Sequence, residues 1–278
     1  MAGHPHFVTI RRVIDRYNAA DGLLLASGLA FHATLTLVPH ALLIAAIAGV
    51  VLTDPESRRR FIEAIVTFAP PLAGAVDEIV RGLMTAPPTL SIIGITLAIW
   101  GTSRLFASLE VAVSRVFAAS TQRSYIHRTV RRIGAVAVVA VVVTVALFAI
   151  PILSLVGDVI RATGPAESVL TTAVLLLLAL VLATAAMASL YRVLPHTVPS
   201  WWAIVLPSAG VAVGLLSITR AFTLVAPRLF DSNAFYGTLG TLFLGLTWLN
   251  LVFVIVLLGA AWVAERAVIE RAVADSLP

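Results

Sequence analysis

VLTTAVLLLLALVLATAAMASL, residues Val169–Leu190, is the stretch that decides the fold. Its 22 residues carry no charge. A hydrocarbon core of ~30 Å is crossed by about 20 helical residues, each rising ~1.5 Å. In lipid, backbone N–H and C=O groups must bond within their own segment, so such a stretch becomes a helix. It has no strand-like alternation, which argues against a β-barrel.

Five more stretches of the same kind flank it. Counting along the chain, the spans are Leu24–Val51, Leu90–Leu109, Ile133–Val156, Val169–Leu190, Trp202–Val225 and Leu239–Val263. The second is the weakest, because its clean apolar run ends at Gly101 and Arg104 follows. An arginine there can snorkel to the headgroups. Composition agrees with this reading. Of 278 residues, 60% are hydrophobic and 12% charged, and the mean hydropathy is +1.02. A globular chain has roughly 45–50% and ~25%, and a soluble globule could not hide the excess. The sequence therefore predicts an all-α fold, a polytopic membrane helical bundle with six transmembrane helices in one integral membrane domain over residues 1–278.

There is no cysteine, so disulfides, zinc–thiolate sites, iron–sulfur clusters and catalytic thiols are excluded. All 19 basic residues are arginine. Their bias sets orientation, since short cytoplasmic loops are enriched in positive charge. Twelve arginines fall on one side: Arg11, Arg12, Arg16, Arg104, Arg115, Arg123, Arg128, Arg131, Arg132, Arg192, Arg266 and Arg271. Seven fall on the other, and four of those lie in one link diluted by five carboxylates. This predicts a cytoplasmic N-terminal segment 1–22, an external link 53–89, a basic cytoplasmic link 104–132 and a cytoplasmic tail 264–278. The first apolar run is too long for a signal h-region and is expected to remain as a helix.

The external link has helical spacing of its apolar residues over Arg58–Met84, split by Pro70-Pro71. It predicts a short external helical hairpin between helices 1 and 2, capping the bundle or lying in the interface. A second amphipathic stretch, Arg104–Phe117, places Leu105, Phe106, Leu109, Val113 and Phe117 on one broad face, with Glu110 and Arg115 directed elsewhere. Arg104, Arg115, Arg123, Arg128, Arg131 and Arg132 are candidate lipid-headgroup contacts, each adding about 1 kcal/mol of attraction to an anionic leaflet. Topological retention alone would also account for them.

Ionisable groups at membrane depth are functional candidates, because burying charge in lipid is expensive. His32, Thr36 and His40 recur every four residues on one face of the first span, with Pro39 beside them. They suit a polar lining or a proton relay, or else neutral histidines bonded to neighbouring helices. Arg220 lies in the outer part of the fifth span, within snorkelling reach or facing an anion. Glu265 and Arg266 close the sixth span and are expected in solvent. Small residues such as Ala209, Gly210 and Gly214 suit close helix packing. Tyr191, Trp201 and Trp202 suit an interfacial belt.

Enzyme signatures are missing: no Walker A loop, no GxSxG, no HExxH. No catalytic residue, metal site or cofactor is expected, and the protein is not read as an enzyme.

Several motifs look familiar in order. Ala30-Phe31-His32, followed by Thr36, Leu37 and Pro39, is similar to an "LAFY…S-x-x-P" signature. Trp100, Ser103, Phe106 and Leu109 follow, then Leu194-Pro195-His196-Thr197-Val198-Pro199. Phe235-Tyr236-Gly237-Thr238-Leu239-Gly240, with Trp248-Leu249 and Gly259-Ala260, matches a "YGS-L…WLY…GAE" closing block. Together they resemble the YihY/BrkB family over almost the whole chain. The departures are His32 where that family usually has tyrosine, His196 where it often has asparagine, and Ala261 where it commonly has glutamate. Glu265 lies one turn later. The resemblance implies a multi-pass protein of the bacterial inner membrane and adds Tyr236 to the candidate polar residues. Some members have carried the label ribonuclease BN, which nothing in these residues supports: no exposed paired carboxylates or metal ligands face cellular RNA.

Two functions fit. One is a transporter or flippase-like exporter of a lipid, amphiphile or anion, using His32, Thr36, His40, Arg220 and Tyr236. The other is a non-transporting lipid-binding or scaffold membrane protein. Membrane lipids are the expected partners, with a small amphiphile or anion as substrate and no nucleic acid.

Overall fold

The computed structural model describes residues 5–51, 88–117, 165–195, 199–230 and 237–275. They form six helices and, among the described residues, no strand. We number these α1 (Pro5–Ala19), α2 (Gly22–Val51), α3 (Pro88–Val116), α4 (Pro165–Val193), α5 (Trp201–Phe230) and α6 (Gly237–Asp275). The described part of the fold is all-helical, as the apolar runs require. The third span, nearly all of the external link with its hairpin, and Arg123, Arg128, Arg131, Arg132 and Tyr236 lie outside the described residues.

Among the described residues, three helices are long and apolar enough to cross a membrane, through Leu176–Val193, Trp201–Val225 and Leu242–Val273. A shorter apolar segment, Gly22–Thr36, lies in α2. Helices α4, α5 and α6 thus cover the fourth, fifth and sixth predicted spans, while α2 and α3 contain the first and second. Helix α6 does not stop where its apolar run ends at Val263. It continues through the predicted tail to Asp275, since Ala264–Val273 holds strong helix formers and no Gly or Pro.

Helix α1 was not anticipated as an element of its own. Pro5 opens it, a position where proline's missing N–H is harmless. It ends at a two-residue corner in which Asp21 takes the left-handed conformation at φ 56°, a region that aspartate tolerates better than most residues. Gly22 follows with the Tyr17 ring lying against its Cα, and any Cβ there would strike that ring.

The chain divides into two compact units. The first comprises Met1–Leu23, Glu110–Leu216 and Ile255–Pro278; the second comprises Leu24–Leu109 and Ser217–Val254. In the first, α5 and α6 pack through small residues. A Cβ on Gly210 would lie 2.8 Å from the Trp262 ring, and one on Gly214 would lie 3.1 Å from Ile255. Gly259 admits Val211 and the Tyr191 hydroxyl so closely that no side chain fits. Small-residue contacts of this kind hold helices together where lipid supplies no hydrophobic drive. In the second unit, Ala30 and Ala33 of α2 pack on Trp248 and Leu249 of α6, with Leu105 and Phe222 against them. Gly101 of α3 meets α2 at Thr36, where a Cβ would come within 2.5 Å of the threonine methyl.

Large apolar side chains remain on the outside of the apolar helices, among them Leu24, Phe31, Leu177, Val181, Leu224 and Phe243. Lipid is the medium that such a surface matches.

Candidate functional site

In the first unit, charged side chains join segments that are far apart in sequence. Arg16 of α1 donates from Nε to Glu265 Oε1 of α6 at 2.6 Å, and the two side chains are only 22% and 11% exposed. Arg16 Nη1 also reaches the Val116 carbonyl at the end of α3, at 3.5 Å. Glu265 was expected in solvent and is buried instead. The reason is the continuation of α6, which carries Glu265 under α1, and a guanidinium makes that burial tolerable. The neighbouring Arg266 Nε is also buried, without a hydrogen-bond partner among the described residues. Glu110, placed off the apolar face by its spacing, is buried as well. Beside this cluster Tyr17 is buried, and burial pushes its hydroxyl above the usual tyrosine range.

A second pair is exposed. Arg115 Nη2 donates to Asp21 Oδ2 at 2.7 Å, with both side chains about half exposed. Arg115 was a headgroup candidate, and the structure gives it a partner within the chain.

Tyr191 departs from the aromatic belt predicted for it. It is wholly buried, and its hydroxyl donates to the Val256 carbonyl at 2.7 Å. Trp201 and Trp202 remain exposed. Arg192 lies over the Trp201 ring, 4.6 Å from its centroid, and donates to the Pro199 carbonyl. Ser200 caps α5 by accepting the Ala203 N–H at 3.1 Å. Its hydroxyl donates to Glu270.

In the second unit, polar side chains mostly bond their own helix. His32 Nδ1 lies 2.8 Å from the Gly28 carbonyl. A carbonyl can only accept, so Nδ1 is the donor in this contact. Thr36, which is buried, donates to the Ala33 carbonyl. Asn250 is different: it donates across to Ser27 at 2.8 Å, linking α6 with α2. Arg104 lies exposed over Trp100, 5.6 Å from the ring centroid. Arg220 is exposed on α5. The side chain of His40, like all of Tyr236, lies outside the described residues. Of the candidate polar set, the described side chains are thus His32 and Thr36 on one helix and Arg220 on another.

Sequence reasoning missed the Arg16–Glu265 contact. The signal that could have found it is the spacing of Ile10, Val13, Ile14 and Tyr17, which marks α1 as amphipathic and in need of a surface.

No curated protein and no solved structure shows a significant match to the chain. A family model does. Apolar helices, a chain-long run of ordered motifs and a match over residues 13–276 to the family described as Virulence factor BrkB lead to one conclusion: the chain belongs to that family of membrane proteins.

Proposed function

We propose that this is a six-span inner-membrane protein with both termini cytoplasmic, and that it moves a lipid, amphiphile or anion across the bilayer. The observation that carries the reading is Arg220. It sits inside the apolar segment Trp201–Val225, its side chain is exposed, and no carboxylate pairs with it among the described residues. A cation held in such a segment is costly unless it faces an anion, water or the headgroups. His32 supports the same reading as an ionisable side chain on the first apolar span. Thr36, His40 and Tyr236 complete the polar set. The reading gives the chain no catalytic residue and no cofactor.

A non-transporting scaffold is the second reading. The bond of His32 to its own helix favours it, since that bond satisfies one ring nitrogen without a substrate.

Proteoliposomes carrying fluorescently tagged phosphatidylglycerol in the inner leaflet separate the two. The transport reading expects the tag to become accessible to an impermeant reductant faster than in protein-free vesicles. It also expects Arg220→Ala to slow this several-fold and Arg220→Lys to retain most of it. Rates equal to those of empty vesicles, for this lipid and for small anions alike, would leave the scaffold reading.

A further inference from the structure

Two contacts on α6 fix the depth of α1 in the first unit. Arg16 of α1 is joined to Glu265, and Ser200, which caps α5, is joined to Glu270. The two carboxylates are separated by about 7.5 Å along the α6 axis, at ~1.5 Å per residue. Immediately after Ser200 stand Trp201 and Trp202, the latter 83% exposed. Indole rings left outside at the end of an apolar span mark the headgroup level, because the ring is apolar and its N–H needs a wet partner. Helix α1 is therefore attached within about a turn and a half of that level, on the side from which the apolar run of α6 arrives.

The surface of α1 divides into three faces. Val13, Arg16 and Tyr17 form the docked face, with Tyr17 buried and the other two half-buried. Ile10 and Ile14, one turn apart, are 59% and 46% exposed. At about 100° per residue they project roughly a quarter-turn from the docked face. Arg11 and Asn18 come next around the helix, then Asp15 and Arg12, all exposed. A helix surrounded by water has no use for two exposed isoleucines beside an arginine. A helix lying in a bilayer interface does, with apolar side chains at the acyl boundary and guanidinium groups at the phosphates. Arg11 meets Asp15 only at 4.0 Å, and both side chains are largely exposed. Such a pair is weak and easily exchanged for a phosphate.

We infer that α1 is an interfacial helix seated in the headgroup layer of an anionic bilayer, with Ile10 and Ile14 at the acyl boundary and Arg11 and Arg12 on lipid phosphates. The occupant of this face is lipid because α1 is anchored at Glu265, within the same unit and about 7.5 Å along α6 from the level of the exposed Trp201 and Trp202, and Val268 and Ile269 of α6, which lie between the two anchors, are exposed as well. Trp201 and Trp202 open the segment Trp201–Val225, and Val268 and Ile269 lie near the end of the segment Leu242–Val273, both apolar enough to cross a membrane. The inference goes beyond the transport reading and holds whether or not the protein moves a substrate.

The chain lacks cysteine, so a single introduced one reports on its own position. Full-length protein with Ile14→Cys or Asp15→Cys carries a nitroxide label in liposomes of phosphatidylcholine with and without phosphatidylglycerol. The label at 14 is expected to be several-fold more accessible to oxygen than to a water-soluble nickel chelate, and the label at 15 the reverse. Adding Arg11→Gln and Arg12→Gln is expected to raise nickel access at 14 in the anionic liposomes. Equal nickel access at 14 and 15 would overturn the placement. Shielding of 14 from both reagents would overturn it in favour of a protein contact. Indifference of position 14 to the two arginines would overturn the anionic partner.

Discussion

Charged pairs that reach across the sequence are found in the first unit, whereas polar side chains of the second mostly bond their own helices, Asn250 with Ser27 excepted. In the first, guanidinium and carboxylate groups reach across the sequence, from Arg16 to Glu265 and from Arg115 to Asp21, and Tyr191 reaches the Val256 carbonyl. In the second, His32, Thr34, Thr36, Ser103, Thr223 and Thr247 bond carbonyls three or four residues back on their own helices. A back-bonded hydroxyl is satisfied wherever its helix goes and so specifies no packing. A half-buried ion pair specifies its neighbour, because losing either partner strands the other charge. The contrast teaches that polar residues of the first unit fix the architecture. The back-bonded groups of the second unit specify no partner helix, and the Asn250–Ser27 bond is what joins two of its helices through side chains.

The sharpest way to break this contrast is Glu265→Ala. It strands Arg16, and about 2–3 kcal/mol of stability should be lost, somewhat below the ~3–5 kcal/mol of a fully buried pair because of the residual exposure. Thermal unfolding in detergent checks it, and Arg16→Met with Glu265→Met should recover much of the loss. Next come the glycines. Gly259→Val and Gly101→Val should each cost about 1–3 kcal/mol by overpacking, since a Cβ meets Tyr191 and Val211 in one case and Thr36 in the other. Gly28→Ala, with nothing within 4 Å of its added Cβ, should be neutral or slightly stabilising in the same melts. Arg115→Ala removes an exposed pair and should cost less than about 1 kcal/mol, an effect that fades as salt rises. His32→Gln should likewise move the unfolding midpoint by no more than about 0.5 kcal/mol's worth, because the imidazole bonds only its own helix among the described residues.

Much of the fold was legible because lipid leaves the backbone few options. Val169–Leu190 and Trp202–Val225 had to be helical, and α4 and α5 contain them. What could not be read were contacts that depend on where helices end. Nothing between Val263 and Glu265 breaks the helix, yet hydropathy alone placed a boundary there and sent Glu265 into solvent. Tyr191 was misplaced for a related reason. A tyrosine at the end of a span suits the interface, and only the close approach that Gly259 permits draws it inside. Helix α1 was hidden by its polar composition, although the spacing of Ile10, Val13, Ile14 and Tyr17 carried the period. For the candidate site, sequence singled out His32, Thr36 and Arg220 by chemistry. It could not say that His32 bonds Gly28, because a histidine's partner is decided by rotamer.

The central claim is a division of labour, and one paired measurement addresses it most directly: lipid translocation and unfolding midpoint, recorded on the same preparations of Arg220→Ala and Glu265→Ala. The account predicts that Arg220→Ala slows translocation several-fold at an unchanged midpoint, while Glu265→Ala lowers the midpoint clearly. An Arg220→Ala protein that translocates at the wild-type rate but melts as early as Glu265→Ala would contradict it.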